Sequence, residues 1–461
     1  MAVLDIFRIA DNQVMTDQLL MQYIQKNDSI TNTRYRRLWR AYNGDYKIFH
    51  MPRKALYKPD NRIAVNFSQY IVDSFEGFFL GVPIKMAGSD DAVTDYITEL
   101  NDSIDSDDIC AELSTIVSIF GRGYRIVYVD ENGEIGSAYL DPMESFAVFS
   151  EGITPRMRYF VRTYVGTDNA RHGSISDETT VRYFTLQAGE IAWEEEHYHG
   201  FAGVPAVEFI QNRARRGIFE TVMSLIDAYN KALSEKANDV DYFADAYLKV
   251  LGAKIDEETL RFMRENRTIN VPGQNGSSVI AEFLQKPSDD DTQEHLLERI
   301  ERMIFTTAMV SNISDEKFFT SSGIALKNKM IPMITLASKK WIKYKAGLQQ
   351  TYRLICSNPV TPLGVDDWKG IKYTHLLNYP SNALEEAQTA ATMSGITSRR
   401  TQLEVLSVVD DVDEELAEIA KEETEKEDFL TEYGTNRTVD EDDEEEDNTV
   451  PGQAVQETEQ E

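Results

Sequence analysis

Three consecutive carboxylates and two closely spaced histidines are the residues of this chain whose types and spacing could support chemistry. Asp289, Asp290 and Asp291 could bind Mg²⁺, which prefers oxygen ligands and serves nucleases in this way. They stand just before a predicted helix, where acidic side chains cap free amides and complement the helix dipole. His197 and His199 share one face of a predicted strand. No cysteine or third histidine lies nearby in sequence, so the spacing favours exposed strand histidines over a metal site.

The motifs of common enzymes are absent from the sequence, which has no GxxxxGK[ST], no GxGxxG after a strand, no HExxH and no GxSxG. Thr320-Ser321-Ser322-Gly323 resembles part of a phosphate loop, but no lysine follows in register. We therefore predict no enzymatic activity, no cofactor and no metal. A metal-dependent nuclease remains one alternative. It requires carboxylates that converge in a cleft, for which the scattered acids give little support.

The charge of the chain is strongly negative and unevenly distributed. The formal net charge of the 461 residues is -31, and residues 401–461 hold 24 acids against Lys421, Lys426 and Arg437. A protein that grips DNA neutralises phosphates with an excess of bases, so this chain is not expected to hold DNA tightly. Acidity would suit the wall of a lumen through which DNA slides, and it would equally serve solubility.

The cysteines and the hydropathy indicate a protein of a reducing compartment. Cys110 and Cys356 lie far apart without CxxC spacing, so both are predicted to be buried thiols in a reducing cytoplasm. No window approaches 18 uninterrupted apolar residues, and the first residues lack the pattern of a signal peptide. Neither secretion nor membrane spanning is predicted.

The first half of the chain predicts a mixed α+β region. Residues 12–50 and 61–86 read as helices, and the arginines at 34–40 surround aromatic residues, which is typical of a surface helix and also of a nucleic-acid contact. Alternating strands follow from 122 to 210, with a hairpin turn at Asn132-Gly133. We expect an antiparallel sheet in this region.

The second half predicts a helical hairpin with a small tip. Residues 217–245 have helical apolar spacing, short strands occur within 246–289, and residues 290–310 form a returning helix with separate apolar, acidic and basic sectors. Such a hairpin cannot bury both faces alone, which favours packing against copies of itself in a ring. A polar loop then leads to a further helix.

The last predicted helices differ in character. Pro332 lies inside the helix that begins at Gly323 and should kink it. Lys339, Lys340, Lys343 and Lys345 follow, and a solvated basic face is favoured over a DNA contact. A strand is expected in 371–379, helices from 382 to 430, and disorder in the acidic tail.

The order of several short motifs resembles the portal (head-to-tail connector) proteins of tailed double-stranded DNA bacteriophages, particularly those of siphophages of Gram-positive hosts. The resemblance spans most of residues 35–425. Its motifs are YNG at 42–44, NRI at 61–63, GVP at 81–83, the run LIDAYNKALSEKANDVDYFADAYLKVLG, and above all SDEKFFTSSGIALK. Each motif alone is weak, whereas their order and spacing together are fairly specific.

The resemblance implies a helix-rich α+β ring subunit with a mixed α/β wing, a two-helix stem, a small α/β clip and a helical crown. The implied boundaries are a wing of 1–216 and 324–385, the latter including the kinked helix, stem helices of 217–245 and 290–310, a clip of 246–289, a tunnel loop of 311–323, a crown of 386–430, and a disordered acidic tail of 431–461.

The resemblance also implies the function and the partners. Such proteins form a ring, a dodecamer in the usual case, at one capsid vertex, nucleate procapsid assembly, and pass DNA inward and later outward. The implied partners are the terminase large subunit, which carries the ATPase, the major capsid and scaffold proteins, a head-completion adaptor, and double-stranded DNA held without sequence preference. The protein would be assembled in the host bacterial cytoplasm and reside in the virion, with no membrane association.

Site residues follow from the same resemblance. Those facing DNA in the tunnel loop would be Asn312, Ser314, Asp315, Glu316, Lys317, Phe318, Phe319, Thr320 and Ser321. Those of the stem lumen or subunit interface would be Glu294, Glu298, Arg299, Glu301 and Arg302. Those of the clip, for terminase or adaptor docking, would be Lys254, Arg261, Arg264 and Arg267, with Pro332 as the kink. A minor capsid or adaptor protein is the remaining alternative, but it needs no long hairpin with a tip.

Overall fold

The computed structural model describes most of the chain in two compact units, Met1–Tyr379 and Pro380–Glu461. The residues that it describes are 6–55, 58–187, 189–244, 248–251, 261, 280–283, 290–313, 323–379, 383–406, 408–409 and 411–434. The fold is helix-rich and mixed α/β, as predicted.

Eight longer helices are described in the first unit. They are α1 (Asp17–Ile30), α2 (Arg36–Tyr42), α3 (Phe67–Phe79), α4 (Asp91–Ser103), α5 (Ser106–Phe120), α6 (Met223–Ala244), α7 (Asp290–Ala308) and α8 (Gly323–Ser357). A π-helical turn, Thr31–Tyr35, joins α1 to α2, and short 3₁₀ helices occupy Lys47–His50 and Asp367–Lys369. Side chains of Thr16, Asn66 and Asp90 cap the first amides of α1, α3 and α4.

The described strands form four sheets. The strands are β1 (Phe7–Ile9), β2 (Lys85–Ala87), β3 (Arg122–Val129), β4 (Ile135–Leu140), β5 (Ser145–Ser150), β6 (Met157–Val165), β7 (Arg171–Ser176), β8 (Thr180–Gln187), β9 (Glu190–Tyr198), β10 (Ala206–Ile210), β11 (Leu248–Leu251), β12 (Ile280–Phe283) and β13 (Lys372–Thr374). The largest sheet has the order β1-β5-β6-β7-β8-β9, and the second has the order β10-β3-β4. All pairs are antiparallel except β1 with β5.

Several predicted elements are confirmed. The β3–β4 hairpin turns at Gly133, whose φ of 82° only glycine adopts without strain. The late strand β13 pairs with β2 and so returns to the first region, with Tyr373 opposite Met86. Both cysteines are buried free thiols.

Two helix boundaries differ from the prediction because neighbouring elements use the backbone. Residues 61–65 are not helical, and α3 begins at Phe67. The helix α6 begins at Met223 rather than at 217, because Gly217–Val222 forms turns against the end of α5, where the Ile218 amide donates to the Ser118 carbonyl at 2.9 Å. An added Cβ at Gly217 would lie 2.1 Å from the Ile119 carbonyl oxygen, so only glycine fits this approach.

Two main cores stabilise the first unit. One lies under the six-stranded sheet and α1, with Phe7, Phe146 and Phe184 fully enclosed. The other joins α2, α3, α5 and the β10-β3-β4 sheet to α6, α7 and α8. The predicted helical hairpin is therefore anchored in the larger core by the start of α6 and the end of α7.

The second unit is helical over its described residues. It contains α9 (Ala383–Thr392), α10 (Arg399–Leu403) and α11 (Val412–Gly434). Arg400 pairs with Asp413 at 2.9 Å and thereby ties α10 to the start of α11. The helical prediction for this stretch is confirmed, whereas the acidic tail beyond 434 lies outside the described residues.

Candidate functional site: the helical hairpin and the base of its loop

The two helices of the hairpin pack along one another and lead to a two-stranded tip. Lys236 on α6 forms an ion pair with Glu294 on α7, and the Gln293 side-chain amide donates to Asp239 at 3.2 Å. Beyond the helices, β11 pairs antiparallel with β12. The helix-out, tip and helix-back arrangement predicted from the sequence is present in the described residues.

A ladder of polar side chains joins α6 to residues 61–65, and it was not predicted from the sequence. Asn230, Ser234 and Asn238 lie four residues apart on one buried face of α6. Their side-chain oxygens accept hydrogen bonds from the backbone amides of Val65, Ile63 and Asn61 at 2.9, 3.0 and 2.6 Å.

This ladder explains why residues 61–65 are extended rather than helical. The three amides bond to a neighbouring helix instead of to their own helical turn, which satisfies partly buried donors that would otherwise cost free energy. The four-residue spacing of small polar side chains was a signal in the sequence. The NRI motif at 61–63 lies on this ladder, so that part of the resemblance has a structural role.

The face of α7 that turns away from the core is partly apolar. Leu297 and Ile304 of the predicted apolar sector are buried, and so is Phe305, but Leu296 and Met303 of that sector are 50% and 44% exposed. These two lie seven residues apart and share one face of the helix. The predicted apolar sector is thus only half used within the subunit.

The charged sectors of α7 divide in a similar way. Glu294 is paired with Lys236, and Glu301 accepts from Asn312 at 3.1 Å, so these two acids serve contacts within the subunit. Glu298, Arg299 and Arg302 are exposed. The predicted role of all five charged residues at a lumen or subunit interface stays a prediction.

The first residues of the predicted tunnel loop contact α3, and the residue before them lies in the larger core. The Ile313 amide donates to the Tyr70 hydroxyl at 3.0 Å, and Val310 is buried in the larger core. A crevice of about 260 Å³ opens here between the end of α7 and the start of α8, and its lining includes Met309, Asn312 and Pro332. Residues 314–322, which contain the remaining predicted loop residues, lie outside the described residues.

The helix α8 contains Pro332 in its interior, as predicted. Proline removes one backbone hydrogen bond, which weakens the helical turn around Pro332. The segment before Pro332 lines the crevice through Lys329. The kink at Pro332 stays a prediction.

The expected solvated lysine face of α8 is wrong for Lys340, which is fully buried. Its ammonium donates to Glu76 at 2.6 Å, to the Ser114 carbonyl at 3.1 Å and to the Ser118 hydroxyl at 3.0 Å. Burial lowers the pKa of Lys340, against the opposing attraction of Glu76. This ion pair joins α8 to α3 and α5.

A sequence signal for this buried lysine existed. Lys340 stands three residues after Ala337 and four before Tyr344, and both neighbours are buried on the same face of α8. Lys339 and Lys343 lie on the other side and are exposed, in agreement with the solvated face.

The other predicted positions carry less structure. Arg261 is exposed, and Lys254, Arg264 and Arg267 lie outside the described residues. His199 lies beyond the end of β9, and its ring contacts the Asp177 carbonyl at 3.1 Å. Among the described residues no group of three metal-ligating side chains occurs, and no helix is long and apolar enough to cross a membrane. The side chains of the 289–291 carboxylates are not described.

Comparison with known proteins identifies the family. The family model described as phage portal protein, SPP1 Gp6-like, matches residues 22–428 of this chain. The portal protein of Bacillus phage SPP1 is 22% identical over 391 residues, which cover 79% of this chain and 76% of that protein. The resemblance predicted from the short motifs is confirmed. This chain belongs to the phage portal protein family.

Proposed function

We propose that this chain is the subunit of a ring-shaped channel at one capsid vertex through which viral DNA is packaged and ejected. The family match over residues 22–428 carries this proposal. The hairpin supports it, because α6 and α7 are anchored at one end in the wing core and lead to the β11–β12 tip. A projecting two-helix element of this kind gains stability when copies stand side by side.

The exposed face of α7 supports self-association. Leu296 and Met303 together leave apolar surface in solvent that a neighbouring hairpin would cover. Burial of apolar side chains stabilises an interface by roughly 25 cal/mol per Å² removed from water. Arg299 and Arg302 border this face and can pair with acids of the adjacent copy.

Within this proposal the parts of the chain take the roles of a portal subunit. Residues 1–216 and 324–385 form the wing, 217–245 and 290–310 the stem, 246–289 the clip, 311–323 the tunnel loop and 386–430 the crown. The clip docks the terminase large subunit and later the head-tail adaptor. Scaffold and major capsid proteins contact the ring during assembly in the host cytoplasm.

Native mass spectrometry of the purified full-length chain, with negative-stain imaging, tests the ring. We expect a closed assembly of about a dozen subunits with a central hole, because a heterologous interface closes when its rotation divides a full turn. A stable monomer or dimer that persists with scaffold protein present would contradict the proposal.

A DNA-packaging assay tests the proposed role of the tunnel loop. We expect Lys317→Glu to slow DNA packaging without dissolving the ring, because it removes a transient phosphate contact from the proposed tunnel loop. The matched control is Lys327→Glu, the same charge reversal at an exposed position of α8. Equal packaging by both variants would remove the loop from the DNA path.

A further inference from the structure

One segment of this acidic chain is strongly basic. Residues 34–62 hold nine lysines and arginines against Asp45 and Asp60, in a chain whose net charge is -31. Part of this charge is used internally, since Arg34 pairs with Glu220 at 2.8 Å and Lys54 donates to Glu235 at 2.5 Å. The remainder forms a surface.

This basic surface is concave and partly unneutralised, since Arg40 pairs with Asp45 at 2.6 Å and Arg62 pairs with Asp60 at 2.9 Å. A cavity of about 780 Å³ is lined by Arg36, Arg37, Arg40, Lys47 and His50, and a cavity of about 460 Å³ by Arg53, Lys54, Lys58 and Arg62. Within the described part of the chain, Arg36, Arg37, Lys47 and Arg53 take part in no ion pair. Exposed cations in a concavity attract an anionic partner of matching extent.

A surface of opposite charge lies on the same unit. Residues 90–112, which comprise α4 and the first half of α5, hold nine acids and no base. All nine acids are exposed, and none forms an ion pair with another described residue. Partial burial, followed by the charge of the neighbouring Asp102, raises the pKa of Asp107.

Parts of the two surfaces adjoin different sides of α2. Arg36 and Arg40 are one turn apart on the side that lines the larger cavity. Trp39 and Tyr42 lie on another side, where Trp39 stacks on Phe120 of α5 with ring centroids 6.2 Å apart. Tyr42 is near Glu112 of the acidic segment, whose charge contributes to the raised pKa of the tyrosine after burial and Asp73.

We propose that the basic surface (Arg36, Arg37, Arg40, Lys47, Arg53) of one subunit binds the acidic surface (residues 90–112) of the next subunit in the ring. This inference rests on the proposed function and names the contact that holds neighbouring wings together. A head-to-tail ring joins two different, complementary surfaces of the subunit, and these two surfaces are opposite in charge and share no residue.

Charge reversal and its rescue test the contact. We expect Arg36→Glu/Arg37→Glu, and separately Asp107→Lys/Asp108→Lys, each to lower the association constant of the ring by about tenfold or more, since like charges across an interface repel. The chain that carries all four substitutions should recover most of the ring, because attraction is restored with the signs exchanged. Native mass spectrometry over a salt series measures these fractions.

Two controls keep the result interpretable. Lys339→Glu/Lys343→Glu reverses two exposed lysines elsewhere on the unit and should leave the ring unchanged. Circular dichroism establishes that each variant is folded, and Lys47→Glu/Arg53→Glu replaces the arginine pair if that variant unfolds.

Each contrary outcome has a distinct meaning. The contact is overturned, while the proposed function stands, if rings form normally in both two-residue variants. It is also overturned if the variant with all four substitutions forms no more ring than either two-residue variant. Loss of binding to a short DNA duplex by the arginine variant, with rings intact, assigns the surface to nucleic acid instead. If the unmodified chain forms no ring even with scaffold protein present, the proposed function itself fails.

Discussion

Replacement of the buried Lys340 by methionine should destabilise the first unit of the chain strongly. The methionine fills a similar volume but leaves Glu76, whose side chain is 12% exposed, without its cation. Removal of one partner of a buried ion pair costs about 3–5 kcal/mol. We expect about 3 kcal/mol, at the lower end, because the hydroxyls of Ser114 and Ser118 still donate to Glu76.

Substitution of Glu76, the other member of the ion pair, separates the effect of the pair from that of Lys340 alone. In the double variant Lys340→Met/Glu76→Gln no buried charge remains, so the double variant should be more stable than Lys340→Met alone, with a coupling of about 1–3 kcal/mol between the two sites. Lys339→Met is the matched control, because this neighbouring lysine is exposed and should change stability by less than about 0.5 kcal/mol.

Urea unfolding followed by tryptophan fluorescence measures these differences. Trp341 adjoins the site and stacks on His375 with ring centroids 4.3 Å apart, so its emission reports the unfolding of this region. Two results would contradict this reasoning: a loss in the free energy of unfolding below about 1 kcal/mol for Lys340→Met, or strictly additive effects of the two substitutions. Either result would show that the ion pair does not stabilise the contact of α8 with α3 and α5.

Three further predictions follow from single contacts. Ser234→Ala removes the acceptor of the Ile63 amide, and we expect a loss of about 1 kcal/mol and faster hydrogen exchange at that amide; unchanged exchange would contradict the ladder. Gly121→Ala should destabilise more than Gly133→Ala in urea unfolding, because both have φ above 80° but only the Cβ at 121 would meet backbone, at 2.2 Å. Burial raises the pKa of the Cys356 thiol to about 11, so iodoacetamide at pH 8 should label it far more slowly in the folded protein than in urea, and equal rates would refute this.

Much of the fold was predictable because its signals are local. The β3–β4 hairpin follows from Asn132-Gly133, and the helical hairpin follows from apolar spacing on both sides of a short-strand segment. The family was predictable as well, because a set of short motifs keeps its order along the chain. Local conformational preference and periodicity are properties of neighbouring residues, so the sequence alone reveals them.

The polar ladder and the buried lysine show what local patterns do not reveal. Residues 61–65 have the composition of a helix start, yet their amides bond to Asn230, Ser234 and Asn238, more than 160 residues away. A long-range acceptor of this kind competes with the carbonyl that would accept the same amide in a helical turn. The hydrophobic periodicity of a local segment gives no information about such an acceptor. The start of α6 shifted for a similar reason, since the chain before it lies against α5.

The amino-acid sequence by itself determined the family, the helix-rich mixed class, the hairpin with its tip and the position of Pro332 inside a helix. The tertiary structure alone decided which charges became structural, since Lys340 is buried with Glu76 while its neighbour Lys339 is exposed. The physical reason is that the sequence directly gives the charge of each residue and its position around a helix. Burial and pairing depend on partners that only folding brings within hydrogen-bond distance.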